Sequence, residues 1–98
     1  MGNSLKSANF LMESRLRDAA RGDFTACYDL GVAYSTGTAG AMFDLIEAHK
    51  WFNLAAMSGD EAAQAARAEI AEDMTAREVA AAQRAARDWL GMNRARAA

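Results

Sequence analysis

A chain of 98 residues, 52% of them hydrophobic, has the scale of one domain and excludes an intrinsically disordered polymer. Its net charge of −2, from 11 basic and 13 acidic residues, offers no basic excess for a nucleic acid. The single Cys27 excludes an internal disulfide, and no run of about 18 apolar residues is present to span a bilayer.

Proline is absent and strand formers are sparse, which predicts an all-α protein. Much of the apolar fraction is alanine, so the expected core is thin, with close-packed helices and a few large anchors. No apolar leader opens the chain, and Lys6 stands where a myristoylation motif beginning at Gly2 needs Ser or Thr. The expectation is a cytoplasmic protein.

Five helices are predicted, over roughly 5–21, 24–36, 45–58, 61–73 and 76–90. In the first, Leu5, Ala8, Met12, Leu16 and Ala19 form an apolar stripe. Gly22 ends it and Asp23 caps the second, where Cys27, Leu30, Gly31 and Tyr34 line up. Gly37 ends that helix, and a loop over 37–43 leads to a D-x-x-E capping box at Asp44 and Glu47. The third helix carries a wide apolar face (Leu45, Ala48, Trp51, Phe52, Ala55, Ala56), the mark of a central element. Gly59 and Asp60 repeat the stop-and-start signal. In the fourth helix Ala62, Ala63, Ala66 and Ile70 align. Thr75 and Glu78 form a T-x-x-E box for the fifth, whose stripe is Val79, Ala82, Ala86, Trp89 and Leu90 and whose end is placed at Gly91. All five stripes follow the three-and-four spacing of one helix face. Each cap side chain can accept from an otherwise unpaired N–H, and each glycine can take the left-handed conformation at a helix end.

Short connections make sequential helices antiparallel neighbours. The pattern Ala19-Ala20-Arg21-Gly22-Asp23 returns at Ala55 to Asp60, offset by about 36 or 37 positions, a period typical of helix–turn–helix solenoids. The predicted fold is therefore a single domain over 1–98, built as antiparallel helical hairpins stacked into a short α-solenoid.

Ala26, Leu30, Gly31, Tyr34 and Gly37, followed by Ala48, Trp51, Phe52, Ala55, Ala56, Gly59 and Ala63, spell A-x-x-x-L-G-x-x-Y-x-x-G, a loop, then A-x-x-W-F-x-x-A-A-x-x-G-x-x-x-A. This resembles the SEL-one-like repeat family, a relative of the tetratricopeptide repeat. One full repeat covers about 26–63, with flanking half-repeats at 5–23 and 61–90. The loop departs from the family pattern, since Gly37 and Gly40 lie further apart and Ala41-Met42-Phe43 follow. The fifth helix is similar to the tail of short bacterial members. The resemblance implies a bacterial, non-catalytic scaffold or adaptor that binds a protein or peptide. It also implies that the first helix of each hairpin lines a concave face. On that basis Thr25, Asp29, Val32, Ser35, Thr36, Glu61, Gln64, Ala68 and Glu72 are the candidate partner-binding residues, a mildly acidic surface of small side chains.

The other motifs read more simply as structure. His49, the one histidine, lacks an evident nucleophile and orienting partner and is expected on a helix surface beside Lys50. Cys27 shares a stripe with Leu30 and Tyr34, as a small buried hydrophobe would. One His and one Cys, without clustered carboxylates, leave no material for a metal site, and no cofactor is expected. Arg21-Gly22-Asp23 is a helix stop and cap, not an adhesion motif. Gly37 to Gly40 lacks the Gly-Lys-Ser/Thr of a phosphate loop. Arg84, Arg87, Arg94 and Arg96 are expected on a solvated helix face and a frayed tail, although they suit an acidic partner. One end of so short a stack lacks a neighbour. Capping by Trp89 and Leu90 is favoured there, with homodimerisation through that end as the alternative. Two rival functions stand beside the adaptor. One is an accessory subunit permanently docked in a larger complex; the other is a small enzyme with an unrecognised site near His49 or Asp44.

Overall fold

The helices form where the apolar periodicity places them. The computed structural model describes residues 3–97, with side chains from 7 to 96. It contains α1 (Asn3–Ala20), α2 (Phe24–Thr36), α3 (Leu45–Ala56), α4 (Glu61–Ala71) and α5 (Ala76–Ala97), and no strand among the described residues. The fold is all-α with five helices, as composition and periodicity predicted. The side chains of Leu5 and Lys6, and Met1 and Gly2, fall outside the described residues.

Helix starts follow the predicted chemistry. The Asp23 carboxylate accepts from the Thr25 and Ala26 amides at 2.9 and 3.3 Å. Asp60 accepts from Ala62 N at 3.1 Å. Thr75 and Glu78 form the full reciprocal box, with Glu78 N donating to Thr75 Oγ1 at 3.1 Å and Thr75 N to Glu78 Oε1 at 2.8 Å. The predicted box at Asp44 and Glu47 forms only in half. Asp44 accepts from the Ile46 and Glu47 amides. Its own N–H donates instead to Tyr34 O at 2.9 Å, which frees Glu47 to pair with Lys50 at 3.2 Å.

Three predicted ends move by two residues or more. The third and fourth helices stop about two residues early, at Ala56 and Ala71, an ordinary margin for helix termini. The larger change is at Gly91, which does not close α5: the helix continues through it to Ala97. A glycine inside a helix costs only about 1 kcal/mol. Arg94 and Arg96 in the last turn favour the helix dipole, and Asn93 Nδ2 anchors the extension by donating to Ala20 O at 2.9 Å. The tail expected to fray is thus the last turn of a helix.

Helix α3 is the hub. The α2–α3 hairpin is the most intimate pair, α1 packs on α2, and both α4 and α5 pack on α3. Helix α5 does not run back along α4 as a second hairpin would. It crosses to the remaining side of α3, where Trp89 meets Trp51 edge-on with ring centroids 5.3 Å apart. The radius of gyration, 13.3 Å, is close to the roughly 13 Å of a globular chain of this length. The end of the stack is therefore folded over rather than left as an open superhelix.

The buried set is Ala19, Ala26, Cys27, Leu30, Ala33, Ala48, Trp51, Phe52, Leu54, Ala55, Ala63, Ala82 and Ala86. Trp51 and Phe52 are the large anchors among alanines, as expected. Gly31 shows why alanines and a glycine are needed: a Cβ there would stand 2.5 Å from the Phe52 ring. Two stripe positions were misassigned. Leu16 is exposed at 38%, and Ala62 also faces outward, because α1 and α4 lie at the edges of the stack and bury only a narrow face. Leu54 is buried although the predicted stripe omitted it, because α5 covers a side of α3 that a simple hairpin would leave open.

The 37–43 loop links α2 to α3. It folds onto α1, and Gly40 (φ 87°) sits where a Cβ would approach Ala8 O to 2.9 Å. Neither a left-handed side chain nor its bulk fits there. Thr38 N donates to Ala33 O at 3.0 Å and closes the end of α2.

Candidate interaction surface

The nine candidate binding residues sit on two helices that share α3 as support. On α2, Thr25, Val32 and Thr36 are exposed, while Asp29 and Ser35 are half-buried. Glu61, Gln64 and Ala68 on α4 and Glu72 at its C-terminal cap are exposed. Direct contact between α2 and α4 is slight, so the two sets are not pressed into one tight groove. The polar groups on α2 are partly committed already. Thr36 Oγ1 donates to Val32 O at 2.7 Å, and Ser35 Oγ to the same carbonyl at 3.0 Å. What α2 leaves for a partner is the Val32 side chain with Thr25 and Asp29 on the same helix.

His49 is the clearest departure from the sequence reading. It is not on the surface but 3% exposed in the core. Helix α3 has neighbours on several sides, so a position outside its apolar stripe is covered as well. The partner on that side is α4, whose Arg67 Nη1 donates to Asn53 Oδ1. His49 Nδ1 has no hydrogen-bond partner among the described residues. Burial and then the nearby Arg67 cation hold the imidazole below its ordinary pKa of 6.5.

The sign of its pH dependence follows. In the unfolded chain His49 gains its proton near pH 6.5; in the folded chain it does so only at lower pH. The unfolded state therefore binds more protons below that value, and stability falls as pH drops through it. We predict that the parent melts at a lower temperature at pH 5.5 than at pH 7.5, a window above most carboxylate titration. His49→Gln should flatten that slope whatever it does to absolute stability. An unchanged slope in the variant would assign the effect to other groups.

Cys27 is 3% exposed. Burial, with Asp23 adding to it, pushes its thiol up to about 11, so it is protonated and unreactive near neutrality. It borders an apolar cleft of about 120 Å³ where the end of α1 meets α2, α3 and α5, walled also by Leu54, Met57, Trp89 and Leu90. That volume is well below the roughly 300 Å³ at which small-molecule sites begin. Neither His49 nor Asp44 lines it, and Asp44 is spent as a helix cap. Tyr34 is also raised above its ordinary pKa, by burial first and then by Glu47 and Asp44.

Large apolar side chains remain uncovered elsewhere. Phe10 on α1 is 67% exposed, and in the loop Met42 and Phe43 are 85% and 63% exposed. The contact of Gly40 with Ala8 brings that loop against α1. Sequence periodicity could not find Met42 and Phe43, because a loop has no period. No family model, curated protein or solved structure matches the chain.

Proposed function

We propose that this chain is a non-catalytic protein–protein interaction module, a scaffold or adaptor of a bacterial cytoplasm. It holds a peptide or helix against the outward faces of α2 and α4. The observation that carries this reading is the separation of roles: the two groups with latent chemistry, His49 and Cys27, are sealed in the core, while α2 and α4 keep outward faces free of neighbouring helices. The resemblance to SEL-one-like repeats over 26–63 supports the same class. An acidic tone from Asp29, Glu61 and Glu72 favours a basic partner segment.

A second reading is favoured by one observation, the exposure of Met42 and Phe43 beside α1. Bare apolar side chains of this size suit a permanent interface, as in an assembly subunit. One experiment separates the two. The partner captured from the native host and identified by mass spectrometry is tested against Asp29→Arg with Glu72→Arg, and against Met42→Ser with Phe43→Ser. Loss of that partner only in the charge-reversed variant supports the α2–α4 surface. Loss only in the loop variant replaces it with the apolar interface, and unchanged capture by the charge-reversed variant rules the α2–α4 surface out.

A further inference from the structure

We propose that the cleft between the C-terminal ends of α1 and α5 docks an acidic, carboxylate-bearing segment of a protein partner. This inference is independent of the α2–α4 surface. The cleft, about 310 Å³, is lined by Arg17, Ala20, Arg21, Asn93 and Arg96. It exists because α5 passes beyond Gly91. The Asn93 amide bond to Ala20 O joins residues 73 apart in sequence and brings arginines from both ends of the chain to one place.

Arg17 and Arg96 have an ordinary explanation one at a time, since each lies in a last helical turn where a cation is favoured, and Arg21 follows just after α1. Their convergence has no such explanation. Two helix C-termini supply roughly −0.5 charge each, against three guanidinium groups, which leaves about two positive charges unbalanced. The ion pair formed among the described residues is Lys50 with Glu47. Asp18 and Asp88 lie on the same two helices but are not part of the cleft wall and form no ion pair with these arginines. An occupant carrying two carboxylates would restore neutrality, and guanidinium forks match carboxylates in paired hydrogen bonds.

The surrounding charge selects the class of partner. Asp60, Glu61, Glu69, Glu72 and Asp73 make the α4 region acidic, and the whole chain carries −2. A nucleic acid backbone needs a basic track along its length; here three of the eleven basic side chains meet in one compact cleft. None of these acidic residues lines the cleft, so a short acidic segment seated there meets the arginines.

The test uses the full chain and a fluorescein-labelled hexaglutamate peptide, read by fluorescence anisotropy at about 50 mM salt, where screening is moderate. We expect binding that weakens as salt is raised. Arg17→Ala, Arg21→Ala and Arg96→Ala together should weaken it at least about tenfold, the scale of one lost charge-assisted hydrogen bond. Arg77→Ala, Arg84→Ala and Arg87→Ala, which remove the same charge elsewhere on α5, should leave it nearly unchanged. Circular dichroism melts check that both variants fold, and the single Arg21→Glu, just beyond α1, gives a milder form of the same test. Equal losses in the two triple variants would mean non-specific attraction and overturn the proposal. So would an absence of binding, or tighter binding of a single-stranded oligothymidylate than of the peptide. Self-association of the chain, abolished by the same three substitutions, would make a second copy the occupant and overturn the assignment to a different partner.

Discussion

Trp51→Ala is expected to lower stability by about 3–5 kcal/mol, the range for deleting a buried aromatic side chain. Domains of this size hold about 5–15 kcal/mol in total, so the variant retains little margin. The indole is 2% exposed and meets Trp89 edge-on, so its removal opens a cavity and strips α5 of its main anchor on α3. The buried cluster around it is rich in alanine, Ala19, Ala26, Ala55, Ala63 and Ala86, side chains with no length with which to collapse inward. Urea denaturation measures the loss directly. In a thermal melt it should appear as a decrease of about 12 °C or more, since each kcal/mol moves a domain of this length by roughly 4–8 °C. Phe43→Ala provides the contrast: that ring is 63% exposed, and its loss should change stability by about 0.5 kcal/mol or less. If Trp51→Ala melts within a few degrees of the parent, α3 is not the hub.

The second large effect is expected from adding a single methyl group. Gly31→Ala replaces a poor helix former by the best one, which alone would stabilise by about 1 kcal/mol. The new Cβ would however lie 2.5 Å from the Phe52 ring. That ring is rigid and 2% exposed, and it packs on Tyr28 with centroids 5.4 Å apart. It cannot swing away as the tip of a lysine could, so α2 and α3 must separate. Overpacking of this kind costs about 1–3 kcal/mol and outweighs the propensity gain. Combining Gly31→Ala with Phe52→Leu isolates the contact. The alanine should cost less on the leucine background, with a coupling of about 0.5–3 kcal/mol. A Gly31→Ala variant more stable than the parent would show that α2 and α3 are not in contact through that face.

These two residues also show what kind of information the sequence carries well. Glycine in the middle of an otherwise good helix, five residues after Ala26 and one after Leu30, has a local cost that makes sense only if another helix crosses there. Trp51 and Phe52 in a field of alanines have no other plausible place than the core. His49 was illegible for the opposite reason. A histidine beside a lysine, outside the apolar stripe of its helix, has the local pattern of a surface residue. Its burial depends on α4 and on the Arg67 contact with Asn53, which no periodicity within α3 records. The arginine cleft was invisible in the same way. Arg17 and Arg21 are nearly the length of the chain from Arg96, and Gly91 between them reads locally as a stop.

Alone, the sequence determined the helices, most of their starts, and which large side chains are sealed inside, because these depend on spacing of three and four residues and on capping groups a few positions apart. Tertiary structure decided the rest: that α5 lies on α3 rather than along α4, that Leu16 and Ala62 face outward, that His49 faces inward, and that arginines from both ends share one cleft. These are outcomes of how many neighbours each helix has. That number is set by non-local packing, and a side chain has no local means of encoding it.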